Sequence, residues 1–385
     1  MLLRSLKLTN LLSFGPDSEA VELGPLNVLI GPNGSGKSNF IEAIGLLKAA
    51  PKDLSVPIRE GGGAGAWIWQ GDKHAGAALE AVVNDPWIPG TRRHCLAFSE
   101  ESYGSFALKN EFVEDEHPRE EEASANFYFR YEKLVAVLNT GGQERQLPRF
   151  DRQQSVLSQV KDASQHPELT NLGDAYEAIR LYRGWTFGRD AAPRRPQPAD
   201  LPTAHLLEDA RNLGLILNKF RRDVPTKKAL LEGLREVFDG ITDFSVQIEG
   251  GTVQIFLEEK NWTIPATRLS DGTIRWLALL AVLLDPKPPP LVCIEEPELG
   301  LHPDLMNPLA RLLKDASERM QLVITTHSEA LVDAFTDTPE AVLVCERKEG
   351  STTMQRLERD RLAEWLKEYG LAQLWSKGLV GGTRW

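Results

Sequence analysis

An eight-residue glycine-rich segment, Gly31-Pro32-Asn33-Gly34-Ser35-Gly36-Lys37-Ser38, has residue types that bind a triphosphate. It fits the spacing G-x-x-x-x-G-K-[ST], in which glycines let backbone N–H groups surround phosphate oxygens. At this spacing Lys37 would reach the β- and γ-phosphates, and the Ser38 hydroxyl would coordinate Mg²⁺. An apolar run, Asn27 to Ile30, precedes the segment, and a helix-periodic run, Asn39 to Ala49, follows it. The predicted order of strand, loop and helix favours a nucleotide site over a chance glycine turn.

Two other apolar runs end in side chains that could act on a phosphate or on an attacking water. Leu291 to Ile294 is followed by Glu295, a candidate Mg²⁺ ligand, and by Glu296, a candidate base for the water. Leu322 to Thr325 leads to His327, which could hydrogen-bond to a γ-phosphate. A single histidine at a strand end is more often structural. The functional interpretation of His327 therefore depends on its position one strand after the paired carboxylates.

A third candidate site is the turn Ser270-Asp271-Gly272, which precedes a helix-periodic run from Thr273 to Leu284. Ser270 or Asp271 is predicted to cap that helix. The same helix N-terminus could also bind a phosphate held by another subunit.

The elements that must position these groups alternate between strand and helix in the last third of the chain. Outside that third, the pattern predicts opening strands at 6–12 and 21–23, short strands at 67–69, 78–83 and 126–131, a mainly helical region at 153–236, and strands at 244–249 and 252–257. The acidic segment Glu111 to Glu122 is predicted to be a solvated loop. Four prolines predict a stiff linker or surface excursion: Pro193, Pro196, Pro198 and Pro202.

Composition limits the class of protein. The chain has 385 residues, 42% of them hydrophobic, which is typical of a globular protein and excludes a disordered one. Its formal net charge of −11 excludes a protein that coats nucleic acid over its whole surface. A local basic stretch remains: it is either a solvated helix face or a contact surface for the DNA backbone, and it comprises Lys219, Arg221, Arg222, Lys227 and Lys228.

The three scattered cysteines, Cys95, Cys293 and Cys345, have no metal-ligand spacing and indicate a reduced compartment. The longest apolar run, Trp276 to Leu284, is too short to span a membrane, and the N-terminus lacks the pattern of a signal peptide. We therefore expect a cytoplasmic protein without a membrane partner.

The motifs GPNGSGKS, LSDGT, CIEEPELGLHP and TTHS, together with the opening LKLTNLLSF, occur in an order that resembles the ABC-type ATPase heads of the SMC and RecF group. The chain looks still more like the compact AAA-family ATPases related to the OLD-type ATPase domain. The resemblance implies an α/β P-loop NTPase with an inserted α+β lobe. It also implies a head-to-tail homodimer with two ATPs, each bound between one P-loop and the partner's Ser270 and Gly272.

Further assignments follow from the resemblance alone. Gly300-Leu301-His302 corresponds to the D-loop, His327 to the switch histidine, and Gln154 to a Q-loop ligand of Mg²⁺ or water. The implied organisation is a single head over 1–385, with a core at 1–50 and 265–347, an inserted lobe at about 51–264 and a helical cap at 348–385.

The sequence departs from that family in three respects. Glu295 stands where most such heads have Asp, and Asp271 replaces the first glycine of the usual LSGGQ, which places a carboxylate near a triphosphate. No coiled coil separates the P-loop from LSDGT, so the chain is not a long-armed SMC protein. Fewer than sixty residues follow His327, and they include no second acidic cluster, so we expect no nuclease activity.

The predicted activity is Mg²⁺-dependent ATP hydrolysis, acting in DNA repair, another DNA transaction or phage defence. The alternative is a nucleotide-switched regulatory subunit that controls a separate effector protein without binding DNA. A transporter ATPase is disfavoured, because the inserted lobe is too large and no coupling helix is evident.

Overall fold

The computed structural model describes residues 1–72, 75–84, 90–101, 104–118 and 125–382. The chain divides into two compact units. The first contains Met1–Ile179, Glu340–Arg361 and Lys377–Trp385, and the second contains Arg180–Pro339 and Leu362–Ser376.

The strands of the described part are, in chain order, β1 (Leu3–Thr9), β2 (Val21–Glu22), β3 (Leu26–Ile30), β4 (Ala77–Asn84), β5 (Thr91–Glu100), β6 (Phe106–Asp115), β7 (Phe127–Glu132), β8 (Val135–Thr140), β9 (Gln143–Gln146), β10 (Arg180–Tyr182), β11 (Gln197–Pro198), β12 (Ile241–Glu249), β13 (Thr252–Glu259), β14 (Trp262–Pro265), β15 (Leu291–Glu295), β16 (Gln321–Thr325), β17 (Val342–Lys348) and β18 (Ser351–Arg356).

The α-helices are α1 (Lys37–Ala49), α2 (Ser55–Glu60), α3 (Ala64–Trp67), α4 (Val156–Gln159), α5 (Pro167–Glu177), α6 (Leu213–Arg221), α7 (Val224–Arg235), α8 (Asp271–Leu283), α9 (Met306–Ser317), α10 (Glu329–Asp333), α11 (Arg359–Leu362) and α12 (Leu371–Ser376). Short 3-10 turns occur at Ala192–Arg194, Ala266–Arg268, Pro303–Leu305, Pro339–Ala341 and Trp365–Lys367.

The first unit contains an antiparallel sheet with strand order β2-β1-β4-β5-β6-β7-β8-β9. Its last strand, β9, is exposed at every residue and has the sequence Gln-Glu-Arg-Gln. Charged, fully solvated edge residues discourage pairing with another chain. In the same unit β3 pairs in parallel with β17, which forms an antiparallel hairpin with β18.

The second unit contains the parallel strands β10, β15 and β16, in that order. Residues 273–283 of α8 are all buried, as expected for a helix that is apolar on every face. A separate antiparallel group places β13 between β12 on one side and β11 and β14 on the other.

Most predicted elements that flank the motifs are present, with ends shifted by a few residues. The opening strands form β1 and β2, the apolar run before the P-loop forms β3, and the run after it forms α1. The runs around the paired carboxylates, the histidine and LSDGT form β15, β16 and α8.

Two local predictions are wrong, and a third holds only in part. Glu111–Asp115 is not a loop but the second half of β6, whereas residues 119–122 of the predicted loop lie outside the described residues. Trp67 ends a helical turn, α3, instead of beginning a strand, and its buried indole lies against Gly61. The proline-rich segment is a surface excursion at Pro196, Pro198 and Pro202, which are exposed, but Pro193 and Arg194 are buried and β11 pairs with β13.

The predicted C-terminal helical cap contains strand β18 and then short helices separated by turns. Trp365 in this segment is half exposed. Among the described helices, none combines the length and apolarity that crossing a membrane requires.

Candidate functional site

The glycine-rich loop of the first unit connects the fully buried strand β3 to α1, which begins at Lys37. Gly31 and Gly36 have φ values of 144° and 101°, which L side chains rarely adopt. A Cβ atom would lie 2.2 Å from the Cys345 carbonyl oxygen at Gly31, and 2.3 Å from Thr352 Oγ1 at Gly36. Both conformation and close packing therefore require glycine at these two positions.

Thr352 on β18 supports this loop. Its hydroxyl lies 3.0 Å from the Ser35 carbonyl oxygen, to which it donates, and 2.7 Å from Ser13 Oγ. Its backbone N–H donates to the Ser13 carbonyl oxygen over 2.8 Å. Burial raises the pKa of the adjacent Cys345 thiol to about 12, so this thiol is uncharged near neutral pH.

The side chains of the loop fit a phosphate. Lys37 is 6% exposed, and its Nζ donates to the carbonyl oxygens of Gly31 (2.8 Å) and Pro32 (3.1 Å). Within the described part of the chain, the buried hydroxyl of Ser35 has no hydrogen-bond partner. Ser38, the second residue of α1, is exposed. A helix N-terminus with a lysine and two hydroxyls has the donors that a phosphate requires.

A cavity of about 810 Å³ lies in the same unit. Thr352 is part of its wall, and the other lining residues include Phe14, Pro16, Asp17, Trp69 and Met354. Because β17 runs parallel to β3, the C-terminal end of β17 lies at the sheet edge that carries the glycine-rich loop. The cavity therefore lies beside that loop.

Gln154 is also in the first unit, in a turn before α4. Its Nε2 donates to Asp53 Oδ1 over 2.7 Å, and its Oε1 accepts from the backbone N–H of Leu54 at 3.3 Å. Hydrogen bonds from Ser55 and then Gln154 lower the pKa of Asp53. Both amide atoms of Gln154 thus have a partner within the unit, and its metal role stays a prediction.

Strand β15 of the second unit ends in the paired carboxylates. Glu295 Oε1 accepts from Nε of Arg183 over 3.1 Å, an arginine that the sequence did not single out. Glu296 adopts the left-handed conformation with φ of 46°, and its backbone N–H donates to the Thr325 carbonyl oxygen at 3.0 Å. Such backbone strain at a non-glycine residue is typical of functional positions.

Glu298 organises the turn after β16, and the sequence analysis missed it. Its Oε1 accepts from Thr326 Oγ1 (2.6 Å) and from the backbone N–H of His327 (3.0 Å). His327 Nε2 lies 3.8 Å from Glu296 Oε1. The buried cation Arg275 is attracted to Glu298 and Glu296, while burial lowers its pKa. The second unit therefore holds the candidate base and the candidate histidine side by side.

The LSDGT turn of the same unit begins α8. Ser270 is the N-cap, and its Oγ accepts from the backbone N–H of Thr273 over 3.0 Å, as predicted. A Cβ atom at Gly272 would lie 2.8 Å from the Gly300 carbonyl oxygen. Gly272 therefore permits a close approach between this turn and the predicted D-loop, in which His302 caps the next 3-10 turn.

The structure thus places the glycine-rich loop and Gln154 in the first unit, and Ser270, Gly272, Glu295, Glu296 and His327 in the second. Among the described residues, no cluster of three or more His, Cys, Asp or Glu side chains forms a metal cage. A Mg²⁺ ion needs no such cage when phosphates and water supply most of its ligands. The oxygen donors of Ser38, Glu295 and Gln154 are of the type that Mg²⁺ prefers.

A family model described as "AAA domain, putative AbiEii toxin, Type IV TA system" matches residues 26–81 and 101–333. No curated protein matches the sequence.

Similar solved structures include an Smc head bound to the C-winged helix domain of ScpA, with 14% identity and a TM-score of 0.61, covering 94% of this chain and 99% of that chain. An Smc head with an extended coiled coil from Pyrococcus furiosus, bound to the C-terminal domain of ScpA, has 14% identity and a TM-score of 0.59, covering 96% and 99%. An Smc head with a coiled coil and joint from Pyrococcus yayanosii has 11% identity and a TM-score of 0.57, covering 96% and 99%. At these identities the likeness concerns the fold.

Proposed function

We propose that this chain, which belongs to the AAA-domain family whose model it matches and has the P-loop fold of the ABC and SMC-head type, hydrolyses ATP to ADP and phosphate as an ATP-dependent homodimer. The observation that carries the proposal is the glycine-rich loop, whose two constrained glycines and buried Lys37 are suited to a triphosphate. We propose that the glycine-rich loop and the paired carboxylates Glu295 and Glu296 act on the same nucleotide, because their motifs occur in the order that is typical of the family.

The proposed reaction uses groups of this chain for binding, orientation and proton transfer. Lys37 leaves its loop carbonyls to contact the β- and γ-phosphates, and Ser38, Glu295 and Gln154 are the proposed Mg²⁺ ligands. When bound, Mg²⁺ would offset the negative charge of the phosphates. Glu296 accepts a proton from the attacking water, whose oxygen bonds to the γ-phosphorus as the bond to the ADP oxygen breaks. His327, beside Glu296, would donate to the γ-phosphate.

We assign the nucleobase to the cavity beside the glycine-rich loop. Phe14 and Trp69 provide aromatic surfaces, and a volume of about 810 Å³ is ample for a base and ribose. The shared residue Thr352 connects the support of the phosphate loop with the wall of this cavity.

The homodimer proposal concerns the LSDGT turn. Ser270 and Gly272 lie at the N-terminus of a long helix, where the backbone N–H groups and the positive end of the helix dipole attract anions. In the proposed dimer, this turn of each protomer contacts the triphosphate held by the partner.

A hydrolysis-deficient variant tests this proposal. Glu296→Gln retains the shape of the side chain but cannot accept the proton, so ATP should remain bound and trap the dimer. Light scattering coupled to size exclusion should then show a dimer at saturating ATP and Mg²⁺. A monomer under these conditions would contradict the dimer model.

Lys37→Ala is the control for nucleotide binding. Added to Glu296→Gln, it should abolish the dimer because the main phosphate contact is lost. Unchanged calorimetric ATP affinity in Lys37→Ala would instead overturn the assignment of the loop.

The process that the ATPase serves has two candidates. The first is a DNA transaction or phage defence; the second is nucleotide-switched control of an effector protein. One observation favours the second, because three cations of the basic stretch already pair with acids. Lys219 contacts Asp285, Lys227 contacts Asp243, and Lys228 contacts Glu232. Two of the Smc heads described above are bound to a protein, ScpA, and a protein partner of another kind is proposed here.

A further inference from the structure

We propose that Arg194 is a positioning residue that allows the acidic turn Ser270-Asp271-Gly272 to contact the triphosphate of a partner protomer. The inference rests on the proposed ATP-bound homodimer. The Asp271 carboxylate in this turn would repel the triphosphate, and Arg194 connects the proline-rich segment to that carboxylate.

The conflict arises from Asp271. This residue is the first of α8, lies between Ser270 and Gly272, and is 67% exposed. A carboxylate beside the proposed anion-binding hydroxyl of Ser270 would repel a triphosphate, and desolvation in a dimer interface would strengthen that repulsion.

Arg194 supplies the opposite charge from beneath the turn. It is only 5% exposed, and its terminal nitrogen Nη2 forms an ion pair with Asp271 Oδ1. The planar guanidinium holds this charge in a fixed direction, which a flexible surface cation could not do. The carboxylate therefore faces the solvent with its charge already paired.

The remaining donors of Arg194 fix the backbone that leads into the turn. Nε donates to the Phe187 carbonyl oxygen over 2.9 Å, and Nη1 donates to the carbonyl oxygens of Ala266 (3.3 Å) and Leu269. Leu269 directly precedes Ser270, so these bonds set the position from which the Ser270 hydroxyl is presented.

The rest of the turn is also constrained. The Ser270 hydroxyl accepts from Thr273, and Gly272 lies against the Gly300 carbonyl oxygen. With Arg194 beneath Asp271, each residue of the turn has its own support. The turn is pre-organised, and an incoming phosphate would not have to order it.

The test is a double-mutant cycle in the Glu296→Gln background, which holds ATP without hydrolysis. The quantity measured is the ATP concentration at half-maximal dimer, for Arg194→Met, Asp271→Asn and the double variant. Arg194→Met should raise this concentration about tenfold or more while Asp271 is present, because an unpaired carboxylate then faces the triphosphate. In the Asp271→Asn background, Arg194→Met should raise the ATP concentration at half-maximal dimer no more than about threefold. That remaining effect would come from the lost hydrogen bonds to the carbonyl groups.

Matched variants separate this role from general damage. Arg195→Met removes the neighbouring arginine, which is exposed and pairs only with Asp190 among the described contacts, and it should leave the dimer curve unchanged. Arg194→Lys retains the charge and should lose less than Arg194→Met. If Arg194→Met melts below the assay temperature, Arg194→Gln replaces it in the cycle, because glutamine removes the charge but retains a hydrogen-bond donor for the carbonyl groups.

The outcomes are distinguishable. Equal losses in the two backgrounds, or no loss, would overturn the role of Arg194 while leaving the proposed dimer intact. A Glu296→Gln protein that stays monomeric with ATP would overturn the proposed dimer, and this inference with it.

Discussion

Glu298 holds the segment that carries the candidate histidine of the second unit. One of its carboxylate oxygens accepts from both the Thr326 hydroxyl and the His327 backbone. The backbone of Glu296 is in turn held by Thr325 on the same strand end. Both contacts of Glu298 are with the segment that carries His327, so its proposed role is to position that segment.

We expect Glu298→Ala to lower ATP turnover about 10- to 100-fold, because a displacement of His327 by even an ångström disturbs the reacting geometry. ATP affinity should change little, since Glu298 is not among the phosphate-binding groups. Turnover and calorimetric affinity measured on the same preparation check this. Glu318→Ala, which truncates an exposed glutamate after α9, is the matched control. A parallel loss of turnover and affinity would contradict a role confined to positioning.

Functional residues that lie within a contiguous motif could be predicted from the sequence. Residues whose partners lie far away in the chain could not. The glycine-rich loop and the Ser270 cap depend on neighbours in the chain, so spacing reveals them. Arg183 lies 112 positions from Glu295, and no local pattern marks that pair. Gln154 is assigned to Mg²⁺ by resemblance alone. Its side chain donates a hydrogen bond to Asp53, and its role as a metal ligand stays a prediction.

At the scale of elements, β6 shows why an acidic run does not guarantee a loop. Its carboxylates have partners on the adjacent β5: Asp115 pairs with Arg92, Glu114 with Arg93, and Glu111 lies 3.3 Å from the His94 ring. Buried carboxylates are tolerated when they are paired and hydrogen-bonded. The sequence shows the acids but not the cross-strand register that pairs them.

Glu111 also fixes the segment that follows Gln154. Both oxygens of this fully buried carboxylate accept from the Val156 backbone N–H, at 3.2 and 3.0 Å, and Oε1 also accepts from the Ser155 hydroxyl. Glu111→Gln would replace one of the two accepting oxygens by an NH₂ group. That group would face the Val156 N–H or the Ser155 hydroxyl, which are themselves donors. We therefore expect the free energy of unfolding to fall by about 1–3 kcal/mol.

Urea denaturation measures this change, with Glu132→Gln as the control. Glu132 lies on the neighbouring strand β7 but is exposed, so its substitution should stay within about 0.5 kcal/mol. Similar values for the two variants would show that the carboxylate network adds nothing to stability.

Periodicity predicted the central elements well because their burial follows their pattern. Strand β3 is buried at every residue and α8 nearly so, which gives the uninterrupted apolar runs seen in the sequence. The proline-rich segment could not be placed in this way. Its packing depends on Arg194, whose partners are three backbone carbonyl groups, which carry no residue signature, and the Asp271 carboxylate, which is 77 positions away.

At the scale of the whole molecule, the net charge of −11 and the pairing of the basic stretch bear on the choice of partner. Within the described residues, Arg221 and Arg222 are the members of that stretch without a carboxylate partner. Two exposed arginines give little of the counterion release that supports DNA binding.

We therefore expect duplex DNA to leave ATP turnover unchanged at physiological salt, and the double variant Arg221→Gln/Arg222→Gln to behave as the unmodified protein. Turnover assayed with and without duplex DNA checks this, and Arg145→Gln/Arg149→Gln provides an equal charge change elsewhere. DNA-stimulated turnover that is lost only in the Arg221/Arg222 variant would favour the DNA transaction instead.

The support of the glycine-rich loop by Thr352 has a consequence for synthesis. The hydrogen bond from Thr352 to the Ser35 carbonyl joins residues 317 positions apart, and β3 has its parallel partner in β17. A ribosome makes the phosphate loop about three hundred residues before its support, so the growing chain carries the motif for that interval without the finished site. Nucleotide can then stabilise the chain only after β18 has been made, and earlier stages of folding must proceed without that help.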